Sequence, residues 1–294
     1  MARLNAAEVE VRSGEWSGDA VRLDRALAQL GLARSRSQAA ELIAAGAVAV
    51  GGSVVWKAGL RLATGSRITV AGDRFVSRAA HKLVAAIERF NVATAGRVAL
   101  DLGASTGGFT QVLLEGGAEP VLAIDVGHDQ MVPSLRADPR VRLVEGCNAR
   151  TLTAAALAEA TGELRPPALV VADLSFISLT LVLPAIADVA GPDADLVLLV
   201  KPQFEVGRTG IRDGIVVDPS RRAEALRTVL AAAADHGFGL AHLDVSPITG
   251  GQGNIEYLAH FVRDPEGDPT QWEGRVTALA AGLTDASTGG TDQR

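Results

Sequence analysis

The stretch VALDLGASTGGF (residues 98–109) decides the fold. An apolar run of strand length passes into a glycine-rich turn and then into residues of helical character. That is how a strand feeds a helix in an alternating α/β chain. The same pattern recurs downstream. VLAIDVG, VRLVEG, ALVVADL, DLVLLVKP, LAHLDVSP and EYLAHFV are short runs rich in Val, Leu, Ile and Ala, most of them separated by 15–30 residues of helical character. Runs that are apolar throughout, rather than alternating, suit strands covered on both faces, so the spacing predicts a mostly parallel sheet with helices on both sides. Ligands of such sheets sit beyond the carboxyl ends of the strands, where the strand order reverses. The residues just after each run are therefore the ones to search.

Upstream the pattern differs. In VRLDRALAQLGLARSRSQAAELIAAGAVAVGGSVVWKAGLRLATGSRITV (residues 21–70), Leu23, Ala26, Leu27 and Leu30 recur at helical spacing before Gly31. Ser35 or Ser37 can cap a second helix, whose stripe of Ala39, Leu42 and Ile43 ends at Gly46. AVAV, Gly51-Gly52 and SVVW read as a hairpin, and RITV as a further strand. This predicts a small α+β domain over residues 20–75 and a larger α/β domain over 76–264. Residues 1–19 and 265–294 read as flexible extensions.

Composition narrows the function classes. Apolar residues at 48% and charged ones at 21% suit a folded globular chain, and aromatics at 4% leave the core to aliphatic side chains. A single cysteine, Cys147, excludes an internal disulfide framework and any Cys-based structural zinc site, and no metal is expected. No secretory signal is visible, and the charge-free stretch Leu174–Ala187 falls short of the roughly 18 apolar residues of a membrane span. The expectation is a cytoplasmic protein with no membrane partner. The net charge of −6 conceals an asymmetry, with +7 over residues 21–90 and −11 over residues 91–294. A basic head on an acidic body fits an anion-binding module joined to a separate domain, although a solvated basic face would give the same count.

The turn after the first strand, with Gly103, Ser105, Gly107, Gly108 and Phe109, has the spacing G-x-x-x-G-G rather than the G-x-G-x-x-G of dinucleotide sites. Asp125 closes the next strand, where a carboxylate can accept both ribose hydroxyls of a nucleoside. Asn148 follows the third, where an amide can meet an adenine edge. Each alone is also what a tight turn or a helix cap would give. In order, the three fit a nucleoside without phosphates, for which S-adenosylmethionine is the candidate. Asp173 closes the fourth strand and Lys201 the fifth. Only Lys57, Lys82 and Lys201 among 28 basic residues are lysine, and lysine, unlike arginine, can take part in proton transfer. Against this, a strand-end lysine can simply snorkel to solvent.

The segments SRAAHKL, DLGASTGGFT, ADLSFISL, VKPQFEVG and GGQGNIEYL together resemble the TlyA (hemolysin A-like) 2′-O-ribose RNA methyltransferases, relatives of the FtsJ group, from about Val21 to Arg263. The resemblance implies a Rossmann-like, S-adenosylmethionine-dependent methyltransferase domain preceded by an alpha-L RNA-binding domain. It places a catalytic Lys-Asp-Lys-Glu tetrad on Lys82, Asp173, Lys201 and Glu256, with Asp173 also at the cofactor. It implies methylation of cytidine riboses in small- or large-subunit ribosomal RNA, with Lys201 as the base for the 2′-hydroxyl or as the group that orients it. Within the basic head, Arg25, Arg34, Arg36 and Lys57 are the expected phosphate contacts, with Ser35 and Gln38 as polar helpers. A non-catalytic ribosome-assembly factor would use the same head and keep the sheet as scaffold. A nicotinamide-dependent dehydrogenase lacks its glycine motif here, and nothing in the hydropathy supports a pore-forming haemolysin.

Overall fold

The computed structural model describes residues 10–44, 46–72, 75–207, 211–250 and 253–283. The chain divides into two compact units, residues 5–74 and the remainder from Phe75 onward.

The first unit is α+β. Strands β1 (Glu10–Trp16), β3 (Val48–Val50), β4 (Ser53–Val54) and β6 (Ser66–Gly72) form one antiparallel sheet in the order β1-β6-β3-β4. Strands β2 (Val21–Arg22) and β5 (Arg61–Leu62) pair separately. Helices α1 (Leu23–Gln29) and α2 (Arg36–Ala44) bury Leu23, Leu27, Ala39 and Ile43 against Val48, Ile68 and Val70. Gly51 and Gly52 both have positive φ, 57° and 84°, as a two-residue hairpin turn with matching twist requires. The expected loose extension over residues 1–19 does not hold for residues 10–16. They form β1, paired along its length with β6. Its polar sequence hides it, because β1 is an edge strand and Gly14 interrupts its alternation to admit the side chains of Leu30 and Leu32. Residues 1–9 lie outside the described part.

The second unit is the α/β sheet. Strands β7 (Ala99–Leu102), β8 (Val121–Ile124), β9 (Val141–Val144), β10 (Leu169–Ala172) and β11 (Asp195–Val200) run parallel. Strands β12 (Phe238–Val245) and β13 (Tyr257–Arg263) complete it antiparallel, in the order β12-β13-β11-β10-β7-β8-β9. Period-two alternation divides the apolar side chains between two cores. Leu100, Leu102, Val170, Leu196 and Leu198 face helices α7 (Leu183–Val189) and α9 (Pro219–Asp235), while Ala99, Val121, Val171 and Val197 face α3 (Ala80–Phe90) and α4 (Gly108–Glu115). The expected tail from residue 265 is also corrected. Helix α10 (Glu273–Ala280) buries Val276, Leu279 and Ala280 in the first of these cores, and residues 284–294 lie outside the described part.

The chain leaves β7 toward β8 and β9, then returns to the other side of β7 as β10. The strand order therefore reverses between β7 and β10, and the crevice beyond their carboxyl ends is where the fold leaves room for a ligand.

Candidate active site

At this reversal Gly103 and Asp173 lie side by side. Gly103 has φ +85°, and a Cβ there would stand 3.1 Å from the carbonyl oxygen of Asp173, so only glycine lets the two strand ends approach. A cavity of about 580 Å³ opens beyond them, lined by Gly103, Ser105, Asp125, Asn148 and Asp173 among others. The carboxylate of Asp125 is fixed by two backbone donors, the N–H of Ser105 to Oδ2 (2.7 Å) and that of Gly127 to Oδ1 (2.6 Å). Asn148, which lines the cavity, uses its side-chain oxygen to cap the short helix Ala149–Thr151, accepting from the Arg150 N–H. Gly108 and Phe109 line a smaller recess of about 180 Å³ on the other side of the turn. Phe109 belongs chiefly to the core. Gly107 lies in neither cavity and caps α4 in a left-handed conformation against Leu135.

Four charged side chains from four separate elements meet next to this turn. Lys82 stands in the first turn of α3, whose amino end reaches the carboxyl edge of the sheet. Asp173 follows β10 and Lys201 follows β11. Glu256 directly precedes β13, and because β13 is antiparallel to β11, with Tyr257 opposite Val200, its amino end lies at that same edge. Lys82 Nζ donates to Glu256 Oε2 (2.7 Å) and to Asp173 Oδ2 (3.2 Å). Lys201 Nζ lies 2.7 Å from Asp173 Oδ1 and donates to Ser175 Oγ at 3.0 Å. The contact with Oδ1 is an ion pair off the hydrogen-bond direction, so this buried oxygen has no aligned donor. The result is an unbroken line Glu256–Lys82–Asp173–Lys201 of alternating charge, ended by the hydroxyl of Ser175. All but Asp173 and Ser175 are buried to below 7% exposure. The quartet is neutral as a whole, which is the condition on which buried charge is tolerated.

Beneath the turn, Asp101 is fully buried. Thr110 Oγ1 donates to its Oδ2 at 2.7 Å, while Oδ1 has no partner. Burial, with the nearby charges of Asp173 and Asp125 adding to it, pushes this carboxyl up to about 7 against the pull of Thr110.

A third cavity of about 410 Å³ lies on the far side of the quartet, lined by Lys82, Lys201, Glu256, Ser175, Phe176 and Phe204 among others. Phe176 also lines the large cavity. Its backbone is left-handed (φ +65°), its ring is 92% exposed, and it lies 5.4 Å from the ring of Phe204. Asn254, itself buried, walls this cavity with the 211–217 segment. Its Nδ2 donates to Gly214 O (2.7 Å) and its Oδ1 accepts from the Val216 N–H (3.0 Å).

A profile of FtsJ-like methyltransferases matches residues 75–263, the whole of the sheet unit up to the end of β13. The Mycobacterium tuberculosis protein named 16S/23S rRNA (cytidine-2′-O)-methyltransferase TlyA is 50% identical over 241 residues, covering 81% of this chain and 88% of that one. The chain belongs to the TlyA group of FtsJ-like methyltransferases. Hemolysin A of Brachyspira hyodysenteriae is 38% identical over 82% of this chain and all of that one. A solved structure of a Streptococcus thermophilus protein, also named a hemolysin, superposes with a TM-score of 0.71 at 40% identity, covering 90% of this chain and 96% of that one. Among the described residues no helix is long and apolar enough to cross a membrane.

An S4 domain profile matches residues 21–68 of this TlyA-group chain. There Arg25, Arg34, Ser35, Arg36 and Lys57 are exposed and Gln38 half-buried. Ser35 and Gln38 are committed to starting α2. Ser35 Oγ accepts from the Gln38 N–H (3.2 Å), and Gln38 Oε1 accepts from the Arg34 N–H (2.7 Å). Arg36 is paired with Asp24 at 3.1 Å, and Arg22, which the sequence reading passed over, pairs with the same carboxylate at 3.0 Å. Hydrogen bonds from Arg22 and then Arg36 hold the Asp24 carboxyl down at about 2, against the effect of its burial. In the TlyA-group site, Ser175, Phe176, Phe204 and Asn254 were likewise passed over. They stand in the segments ADLSFISL, VKPQFEVG and GGQGNIEYL, where the residues flanking a charged position, and two phenylalanines in a chain with 4% aromatics, were the available signal.

Proposed function

We propose that this chain methylates the 2′-oxygen of cytidine riboses in ribosomal RNA, using S-adenosylmethionine. The observation that carries the reading is the continuous charged line from Glu256 to Lys201, standing between one cavity behind the glycine turn and a second beside Phe176. The residues present fit the cofactor. The cavity volume lies in the range of cofactor-sized ligands, the missing Cβ at Gly103 leaves the backbone open, and the backbone-fixed Asp125 carboxylate retains lone pairs for a pair of hydroxyls. Gly103, Ser105, Asp125, Asn148 and Asp173 would hold it. When bound, it supplies a methyl group on a positively charged sulfur.

Lys201 lines the cavity on the far side of the quartet, and its ammonium is anchored on one side by Asp173 and Ser175. It orients the acceptor oxygen by donating an N–H to it, so that a lone pair faces the donor side, and the hydroxyl proton leaves to solvent. Asp173 fixes Lys201, and Lys82 with Glu256 fixes Asp173, so each group holds the next in place and the acceptor meets a preorganised site. The 50% identity to a protein named for cytidine-2′-O methylation supports this over a scaffold-only assembly factor. The test is mass-spectrometric mapping of ribose methylation in ribosomal RNA from cells with and without the protein. Methyl groups lost on deletion should return with the intact chain and not with Lys201→Ala. Their return with Lys201→Ala refutes the assignment.

A further inference from the structure

The S4 unit carries one largely exposed tryptophan ring. Of the three tryptophans, Trp16 packs on the small core, with its indole N–H donated to Asp19 O, and Trp272 packs against the large one. Trp56 is 69% exposed. Its ring is nevertheless held. Gly46, the left-handed residue after α2 (φ +71°), abuts the outer edge of the indole so closely that a Cβ there would stand 2.5 Å from Cη2 and 2.9 Å from Cζ3. One edge of the ring rests against Gly46 while most of the residue stays exposed.

Its neighbours are cationic. Lys57 is adjacent and exposed. The following residues are pinned to the start of α1, because the Asp24 N–H donates to Ala58 O and the Leu23 N–H to Leu60 O. This brings the Trp56–Lys57 segment beside Asp24, the buried carboxylate that holds Arg22 and Arg36 with their side chains half or more exposed. Residues 20–72 contain seven Lys and Arg against two Asp and Glu, so a polyanion is the complementary partner. A bare π-face with exposed cations on the neighbouring segments is an arrangement that binds a stacked base and its flanking phosphates.

We propose that Trp56 is a stacking platform for an unpaired RNA base, with Lys57, Arg22 and Arg36 on the neighbouring phosphates. This makes the unit selective for single-stranded or looped RNA over duplex. The inference rests on the RNA-binding reading above and goes beyond it by naming the base contact.

The test titrates the full-length protein with a short fluorescein-labelled single-stranded RNA and with a duplex of the same sequence. Trp56→Ala should weaken single-strand binding roughly five- to hundredfold, the usual range for losing one stacked base, and leave duplex binding within twofold. Trp56→Phe keeps an aromatic face and should bind the single strand nearly as the parent does. Single-stranded RNA should quench indole fluorescence in the parent but not in Trp56→Phe. Unchanged single-strand binding by Trp56→Ala, or equal loss toward both RNAs, overturns the stacking role. The Arg34→Ala, Arg36→Ala double variant separates the two readings. It should lose affinity for both RNAs with a shallower salt dependence, and a parent protein that binds neither RNA overturns the RNA-binding reading itself.

Discussion

Lys82 has two carboxylate partners and Glu256 one cation among the described residues, so exchanging them separately and together isolates what the pair contributes. Lys82→Met leaves the Glu256 carboxylate, 3% exposed, without its cation at 2.7 Å. Glu256→Leu leaves the ammonium with only Asp173, at 3.2 Å. Stranding one member of a buried pair costs about 3–5 kcal/mol, so Lys82→Met should sit near the upper figure and Glu256→Leu near the lower. Acting independently, the two losses would add to about 8 kcal/mol, most of the stability of an ordinary domain. They should not add. The double variant removes both charges and fills the space with apolar volume, so it should lie within about 2 kcal/mol of the parent, a coupling of several kcal/mol. Urea unfolding followed by circular dichroism measures this. Single-turnover methyl transfer to ribosomal subunits should fall at least about a hundredfold in Lys82→Met and in the double variant, where Asp173 loses the cation at 3.2 Å that fixes it, and less in Glu256→Leu, where that contact remains. A double variant as unstable as the sum would refute the buried-pair reasoning. A stable double variant that still methylates would show the pair to be structural only.

Two further outcomes follow from single residues. The Asp101 carboxyl, raised to about 7 by burial, keeps its proton in the folded chain while the unfolded chain sheds it near pH 4. Its contribution to stability is therefore complete below about pH 4 and declines as pH rises toward about 7. Asp101→Asn should gain roughly 2–3 kcal/mol on the parent between about pH 5 and pH 8, and parallel urea-unfolding profiles at the two pH values would contradict this. Asn254→Ala strands the Gly214 carbonyl and the Val216 N–H, so the wall of the third cavity should loosen at a cost of about 2–4 kcal/mol. Steady-state kinetics should then show a raised KM for ribosomal substrate, with S-adenosylmethionine affinity unchanged by calorimetry. An unaltered KM would remove Asn254 from the acceptor wall.

The strands of the large sheet were legible as short runs rich in Val, Leu, Ile and Ala, most plainly the parallel β7, β8, β10 and β11, which are buried on both faces. β1 was not, since an edge strand with Glu10, Arg12, Ser13 and Gly14 carries no such run and is held by the backbone of β6. α10 escaped for another reason. Its three buried residues, Val276, Leu279 and Ala280, are diluted by a polar and small-residue context, and only packing against α9 and β12 gives them value. In the site, Gly103, Asp125 and Asp173 could be placed from strand ends alone. Lys82 and Glu256, 174 positions apart, could not, because no local pattern encodes a contact of that separation, and motif resemblance supplied them. Phe176 was invisible for a conformational reason, since nothing in LSFIS announces a left-handed phenylalanine.

The convergence follows from direction. Parallel strands β10 and β11 end where the antiparallel β13 and the helix α3 begin, so four chain termini of secondary structure share one edge, and each contributes one charge there. Alternation makes the sum zero, which lets the quartet be buried but also deprives it of any attraction for a polyanion. The acidic excess of −11 over residues 91–294 opposes one. On the proposed function, affinity for RNA then falls to the cations of the S4 unit, and the quartet acts on an acceptor that has already been delivered. Charge is thus divided by task along the chain. On the proposed function, long-range attraction falls to exposed arginines, whose fields salt screens, and orientation of the acceptor to buried lysines, whose partners lie within 3.2 Å and which salt screens far less.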